Sequence, residues 1–190
     1  MVILMMGLFS SDRQTEVQRY EVLKTDGVFE IRYYPPAVLA SVKMGGGYDD
    51  TRNQGFGTLA GYIFGGNEEN MKISMTAPVR MSEIDNIMSF VMPSQYSLDA
   101  LPKPDNRNVQ LHTSEPSVVA AVRFSGWASE RKIGEMKERL SEWLGKSGYH
   151  HNKKFEYLGY NPPYQMVNRR NEVVVPLIDY PGYSENRSGK

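Results

Sequence analysis

A chain of 190 residues, 40% hydrophobic and 23% charged, has an ordinary globular composition and is long enough to bury a core as one domain or two small fused modules. Its 22 basic and 22 acidic side chains cancel, so no global basic field points to nucleic acid or an anionic membrane. The absence of cysteine excludes disulfides, thiolate metal sites and cysteine nucleophiles, and leaves the compartment open with the cytoplasm as the default expectation.

Residues 1–9 are apolar but lack a basic flank and fall short of a bilayer span, so residues 1–16 read as a leader-like or flexible segment. No later stretch reaches transmembrane length. Residues 17–23 alternate partially as a first strand, Thr25-Asp26-Gly27 turns the chain, and residues 28–33 alternate as a second. Tyr34-Pro35-Pro36 ends that hairpin, and residues 37–44 predict a third strand with Val38, Ala40 and Val42 on one face. Gly45-Gly46-Gly47 releases the chain into a helix predicted over residues 49–64, with Asp49 or Asp50 suited to its positive end. Further on, Lys72-Ile73-Ser74-Met75 reads as a strand running into Thr76-Ala77-Pro78, where proline withdraws a donor and holds its predecessor extended. Residues 93–107 form a proline-rich connector.

The second half repeats the first. Pro116 to Arg123 overlays Pro36 to Lys43 position for position, and the helical stripe Met136, Leu140, Trp143, Leu144 falls on Phe56, Ala60, Ile63, Phe64 without a gap. After five inserted residues, Asn161-Pro162-Pro163 meets Thr76-Ala77-Pro78, and residues 171–175 meet residues 86–90. Each half reads strand–helix–strand–strand. The expectation is an α+β fold of one sheet system and two long helices, a single domain over residues 17–177. Its halves, about 28–92 and 108–177, share a pseudo-two-fold with a groove between them, and residues 178–190 form a flexible tail.

Candidate chemistry is sparse. Gly55-Phe56-Gly57-Thr58-Leu59-Ala60 matches a dinucleotide-binding pattern letter by letter, but no strand leads into it and no acidic residue stands about twenty positions on. These glycines suit close packing of a helix on a sheet. His150 and His151 sit side by side on a predicted loop without helical metal-site spacing, and His112 closes a predicted strand. No nucleophile elbow, zinc-protease helix or phosphate loop is present, and Glu83, Glu156 or Glu172 could serve as acid or base only if buried. What stands out is 11 methionines and 12 tyrosines, with Met71, Met75, Met81, Met88, Met92 and Met166 gathered around the two proline turns. Such residues suit an adaptable pocket for a flat apolar ligand, with Arg52, Lys72, Arg80 and Arg123 available for its acidic groups.

The stretch Asn67 to Val79, with Tyr33-Tyr34-Pro35-Pro36, Phe124-Ser125-Gly126, Gly159-Tyr160-Asn161-Pro162-Pro163 and Asn168 to Val173, closely resembles the SOUL haem-binding proteins in order and spacing. The resemblance implies a distorted eight-stranded antiparallel β-barrel carrying two long helices, built from two βαββ-type halves. It also implies binding of haem or a related tetrapyrrole in an apolar groove beside the first helix, for transport, buffering or scavenging. Carried onto this chain, the groove uses Phe56, Leu59, Ala60 and Ile63, completed by Met75, Met88, Tyr164 and Arg52. Some members place basic residues along that helix; here Asn53 and Gly61 take those places and Arg52 remains. The family shares no axial histidine, and His112 is the one residue weighed for that role. The implied protein is a ligand binder and not an enzyme. Two alternatives stand beside it: a module for another flat hydrophobic molecule, like those beside some transcription regulators, and a hydrolase on the same two-module fold.

Overall fold

Pro35-Pro36 and glycine-rich turns cut the alternating apolar segments into short strands, and two uninterrupted helical periods span the gaps between them. The computed structural model describes residues 15–45, 48–161 and 169–181, with the side chains of residues 48–52 excepted. In chain order the elements are β1 (Glu16–Val17), β2 (Glu21–Asp26), β3 (Phe29–Tyr34), β4 (Val38–Lys43), α1 (Tyr48–Ile63), β5 (Thr76–Ala77), β6 (Val79–Ser82) and β7 (Ile87–Val91). There follow β8 (Val109–Thr113), β9 (Ser117–Phe124), α2 (Glu130–Ser147), β10 (His150–His151), β11 (Glu156–Gly159) and β12 (Asn171–Ile178).

One antiparallel sheet runs β2-β3-β9-β12-β11-β6-β7-β4-β8, with β10 paired to β12 off this path, and β1 pairs β5 separately in parallel. The α+β class, the two long helices and the two halves are all present. The barrel, however, is not closed: among the described residues β2 and β8 end the path without pairing each other. The hydrogen-bond register reproduces the repeat. Leu39↔Val91, Ala40↔Phe90 and Val42↔Met88 in the first half become Val119↔Pro176, Ala120↔Val175 and Val122↔Val173 in the second. The flanking strands cross over, so Ala40↔Leu111 answers Ala120↔Ile31. At the centre β6 pairs β11 antiparallel, Val79↔Gly159 and Met81↔Tyr157, which places the pseudo-two-fold between these strands.

Three expectations shift. The predicted strand over residues 17–23 is split into β1 and β2. Residues 72–75 do not form the predicted strand: before Pro78 only the two-residue β5 pairs, and the longer β6 follows the proline, because the Ile73 amide is taken by the Ile63 carbonyl (2.8 Å) and the Met71 amide by Asn67 Oδ1 (2.9 Å). The partner of β6, β11, ends at Gly159, before Asn161. Pro162 and Pro163 lie outside the described residues. His150 and His151 form the short strand β10 and not a loop.

The helices also depart from the gapless repeat. In α2, Ile133, Met136, Leu140 and Leu144 are buried; in α1, Leu59, Tyr62 and Ile63 are, while Phe56 and Phe64 stay 39% and 67% exposed. The buried stripe of α1 therefore matches α2 with one residue of slip, Leu59 for Leu140 and Ile63 for Leu144. One residue is about 100° of helix rotation, enough to turn Phe56 out of the core. A Cβ on Gly55 would stand 3.3 Å from Met44 and 3.5 Å from Met88 Sδ, so this glycine lets α1 approach the sheet, as its helical placement suggested. Ser129 caps α2 by accepting from the Lys132 amide, and Gly148 closes it at φ 73°.

The helix-bearing face of the sheet is apolar and the opposite face is not. Ala40, Val42, Met88 and Phe90 pack under α1, and Ala120, Val122, Val173 and Val175 under α2. On the other face, fully buried Arg32 and Glu172 anchor a network with Tyr34, Tyr160 and Arg170 beside a smaller apolar cluster.

Candidate functional site

Helix α1 packs over β4, β7 and β8, and α2 over β9 and β12, so the central pair β6/β11 forms the floor of a cleft between them. The cleft measures about 710 Å³, within the ~300–1,000 Å³ range of small-molecule sites. Val79, Met81, Met88, Tyr157 and Gly159 line the floor; Asn53 and Phe56 of α1 form one wall. The opposite wall is Trp127 to Arg131 at the start of α2, with Asn161 and Arg169 at the side. The Phe56 ring meets Phe90 edge-on at 5.2 Å, which fixes its tilt toward the opening.

Trp127 is 65% exposed, an unusual position for the largest apolar side chain. It follows Gly126, whose φ of +83° is the left-handed conformation glycine accepts without penalty. Asn171, 1% exposed, holds this turn down: its Nδ2 donates to the Gly126 carbonyl (2.9 Å) while its Oδ1 accepts from the Tyr157 hydroxyl (2.7 Å). A buried amide thus ties the floor of the cleft to the turn that presents Trp127. The Arg169 guanidinium lies over the indole at 5.0 Å, and Arg131 pairs with Glu135 at 2.5 Å on the helix surface.

The structure sorts the sequence-derived groove residues. Phe56 and Met88 line the cleft. Leu59 and Ile63 are 0% and 1% exposed and belong to the core beneath α1, with Ala60 and Met75 packed against that core. The groove as a stripe of Phe56, Leu59, Ala60 and Ile63 does not exist, since Leu59 and Ile63 face the sheet. The Arg52 side chain and all of Tyr164 lie outside the described residues. His112 pairs with Leu39 and bonds Ser41 Oγ through Nε2 at 2.9 Å, on the sheet face opposite α1. Of the proposed cations, Arg80 pairs with Glu156 at 2.7 Å on that opposite face, and Lys72 and Arg123 are solvent-exposed. Sequence reasoning missed Trp127 and Arg169; the one available signal was a tryptophan directly after a glycine and before a helix cap.

Neither do the three glutamates supply an acid or base to the cleft. Glu83 is exposed and pairs with Lys137; Glu156 pairs with Arg80. Glu172 is fully buried and accepts from Arg32 at 2.6 and 3.1 Å, Arg170 at 2.9 Å and Tyr160 at 2.9 Å. Burial alone would raise its carboxyl, but hydrogen bonds and charge from Arg32, then Arg170, outweigh burial and hold it below the ordinary value. It stays ionised. Burial, then Tyr34 and Glu172, pushes the Tyr160 hydroxyl far up, so Tyr160 remains a donor to Glu172. Among the described residues no group of three or more His, Cys, Asp or Glu could hold a metal ion, and no helix is long and apolar enough to cross a membrane.

Two pseudo-symmetric βαββ modules with a cleft at their junction define a two-module class of α+β protein. The chain belongs to the SOUL heme-binding protein family, whose model matches residues 15–176. It is 34% identical over 158 residues to "Heme-binding protein 2" of Mus musculus, covering 77% of each chain. It is 31% identical over 159 residues to "Heme-binding protein 1" of Xenopus laevis, covering 78% of this chain and 83% of that one. Among solved structures, the EcmrR C-terminal domain superposes with a TM-score of 0.58 at 10% identity, over 79% of this chain and 96% of that one. A hydrolase from Listeria innocua gives 0.58 at 9% identity, over 82% and 94%. At these identities the likeness to the solved structures is one of fold.

Proposed function

We propose that the protein binds haem or a related tetrapyrrole in the interhelical cleft, as a carrier, buffer or scavenger and not as an enzyme. The observation that carries this reading is a cleft of about 710 Å³ at the junction of the halves, floored by Met81, Met88 and Tyr157 and flanked by Phe56 and Trp127. Methionine and aromatic surfaces suit a macrocycle, and Arg131 and Arg169 suit its acidic side groups, with Glu130 the acidic residue on the same wall. Haem would bring its own iron chemistry. The chain's residues enclose and orient the ring: no histidine stands among the described lining residues, and the Tyr157 hydroxyl is engaged by Asn171.

Titration of apoprotein with hemin, followed in the Soret band, tests the assignment against a Phe56→Asp variant. Saturable binding by the parent and its loss in the variant are expected. Equal titrations would place binding elsewhere, and none in either would overturn the haem reading. The absence of histidine from the described lining also favours a second reading, a site for flat apolar rings in general. Competition between hemin and metal-free protoporphyrin decides between them: equal affinity makes iron irrelevant, and a strong preference for hemin requires a ligand to the iron.

A further inference from the structure

We propose that β8 is a self-association edge: two copies of this chain pair their β8 strands antiparallel about a two-fold axis through Leu111, joining two sheets into one. The proposal is independent of what the cleft binds.

The two ends of the sheet are built differently. At one end β2 carries Glu21, Lys24 and Asp26 and is bulged between Val22 and Lys24, devices that keep an edge from pairing with another chain. At the other, β8 runs Val-Gln-Leu-His-Thr in unbroken register with β4, without charge or proline, and Gln110, His112 and Thr113 are exposed. Its neighbours fix the direction of its backbone groups. The Ser114 amide donates to the Ala37 carbonyl at 2.8 Å, and the Met92 amide to the Val38 carbonyl at 2.8 Å. Val38 thus turns its backbone to β7, and Thr113 opposite it lies in a non-hydrogen-bonded pair. Alternation points residues 110, 112 and 114 toward β4, and residues 109, 111 and 113 outward. The Val109 amide folds back on the Asn106 carbonyl at 3.0 Å, which leaves its carbonyl facing out.

Self-pairing must set outward residues against outward residues. A two-fold through Leu111 does so for all three, with Leu111 against Leu111 and Val109 against Thr113 on each side. The Leu111 pair exchanges two bonds, and each Thr113 amide donates to a Val109 carbonyl. The same register brings exposed Arg107 toward exposed Glu115 of the second copy, on both sides of the axis. An axis at residue 110 would set Asp105 against Glu115, and one at 112 would set Val109 against Glu115, so charge selects Leu111.

Sedimentation velocity of the full chain over a concentration series should show a reversible dimer at twice the 21.6 kDa of the chain. Leu111→Lys and Thr113→Pro should be monomeric with native circular dichroism, because a proline at an outward amide leaves the β4 ladder intact. Arg107→Glu and Glu115→Arg should each weaken the dimer about tenfold, and the double reversal should restore it. Since the chain has no cysteine, Leu111→Cys reports the register. It should oxidise to a disulfide-linked dimer, whereas Thr113→Cys, with its two copies more than about 13 Å apart, should not. A chain that stays monomeric to about 1 mM overturns the proposal. So does a dimer indifferent to Leu111→Lys, a double reversal no better than either single, or equal cross-linking of the two cysteine variants.

Discussion

Replacing Glu172 by glutamine is the sharpest probe of how the fold holds its two faces apart. The carboxylate is the counter-charge for Arg32, which is 2% exposed, and for Arg170, and it takes four hydrogen bonds, from Arg32 at 2.6 and 3.1 Å, Arg170 at 2.9 Å and Tyr160 at 2.9 Å. Glutamine keeps the shape and one acceptor but removes the charge, leaving buried guanidinium groups uncompensated. Breaking a buried pair in this way costs ~3–5 kcal/mol, and Glu30 remains on Arg32 Nε at 2.6 Å, which puts the expected loss near ~3 kcal/mol. For a chain of this size that is roughly 6–12 °C in Tm. The pH dependence follows from the sign of the shift. Because the folded carboxyl sits below its ordinary value, its contribution is complete above the ordinary carboxylate range. That contribution is lost as pH falls through the folded value, so the variant's acid limb should be flatter than the parent's. Urea unfolding at neutral and acid pH measures both. A loss under about 1 kcal/mol would refute the claim that this pair is uncompensated when broken. Porphyrin affinity at a temperature where both proteins are folded should not change, since Glu172 pairs with Leu158 and faces away from the cleft floor. A tenfold change would mean the two faces are coupled.

Leu59→Ala should destabilise the fold by ~2–5 kcal/mol in denaturant titrations, whereas Phe56→Ala should cost little stability and weaken porphyrin binding instead. Asn171→Ala should lose ~1–3 kcal/mol through the two bonds it removes, to the Tyr157 hydroxyl and the Gly126 carbonyl, and should shift Trp127 emission in a Trp143→Phe background. Burial pushes the Tyr62 hydroxyl, which donates to the Pro102 carbonyl at 3.0 Å, up to about 12. Stability from this group is present below the unfolded tyrosine value near ~10 and lost as pH rises from there through about 12, so Tyr62→Phe should flatten the alkaline limb of a pH–stability curve. His112→Ala should leave the absorption spectrum of a hemin complex unaltered, because His112 stands on the far face beside Ser41.

The repeat was legible because strand pairing preserves spacing: the offsets read from Pro36 to Lys43 and from residues 86–90 reappear as β4·β7 and β9·β12 registers. Phe56 and Met88 were legible as cleft residues for a related reason, since one lies on the first helix and the other on the strand beneath it. Leu59 and Ile63 were misassigned because an apolar residue on a helix reads alike whether it faces a core or a ligand. The one-residue slip of α1 against α2 decides that question, and it depends on how closely Gly55 lets the helix settle on Met44 and Met88. Trp127 and Arg169 stand 42 positions apart in the chain and meet only because β9 and β12 are paired neighbours.

Sequence alone determined the α+β class and the doubled βαββ module, because periodicity and composition are local and repeat spacing survives folding. Tertiary structure decided that the sheet stays open, that residues 72–75 before Pro78 are not strand, and that the cleft lies over β6 and β11 with one wall from each half. Those outcomes depend on competition for backbone donors and on helix rotation against the sheet, which arise only when distant segments meet.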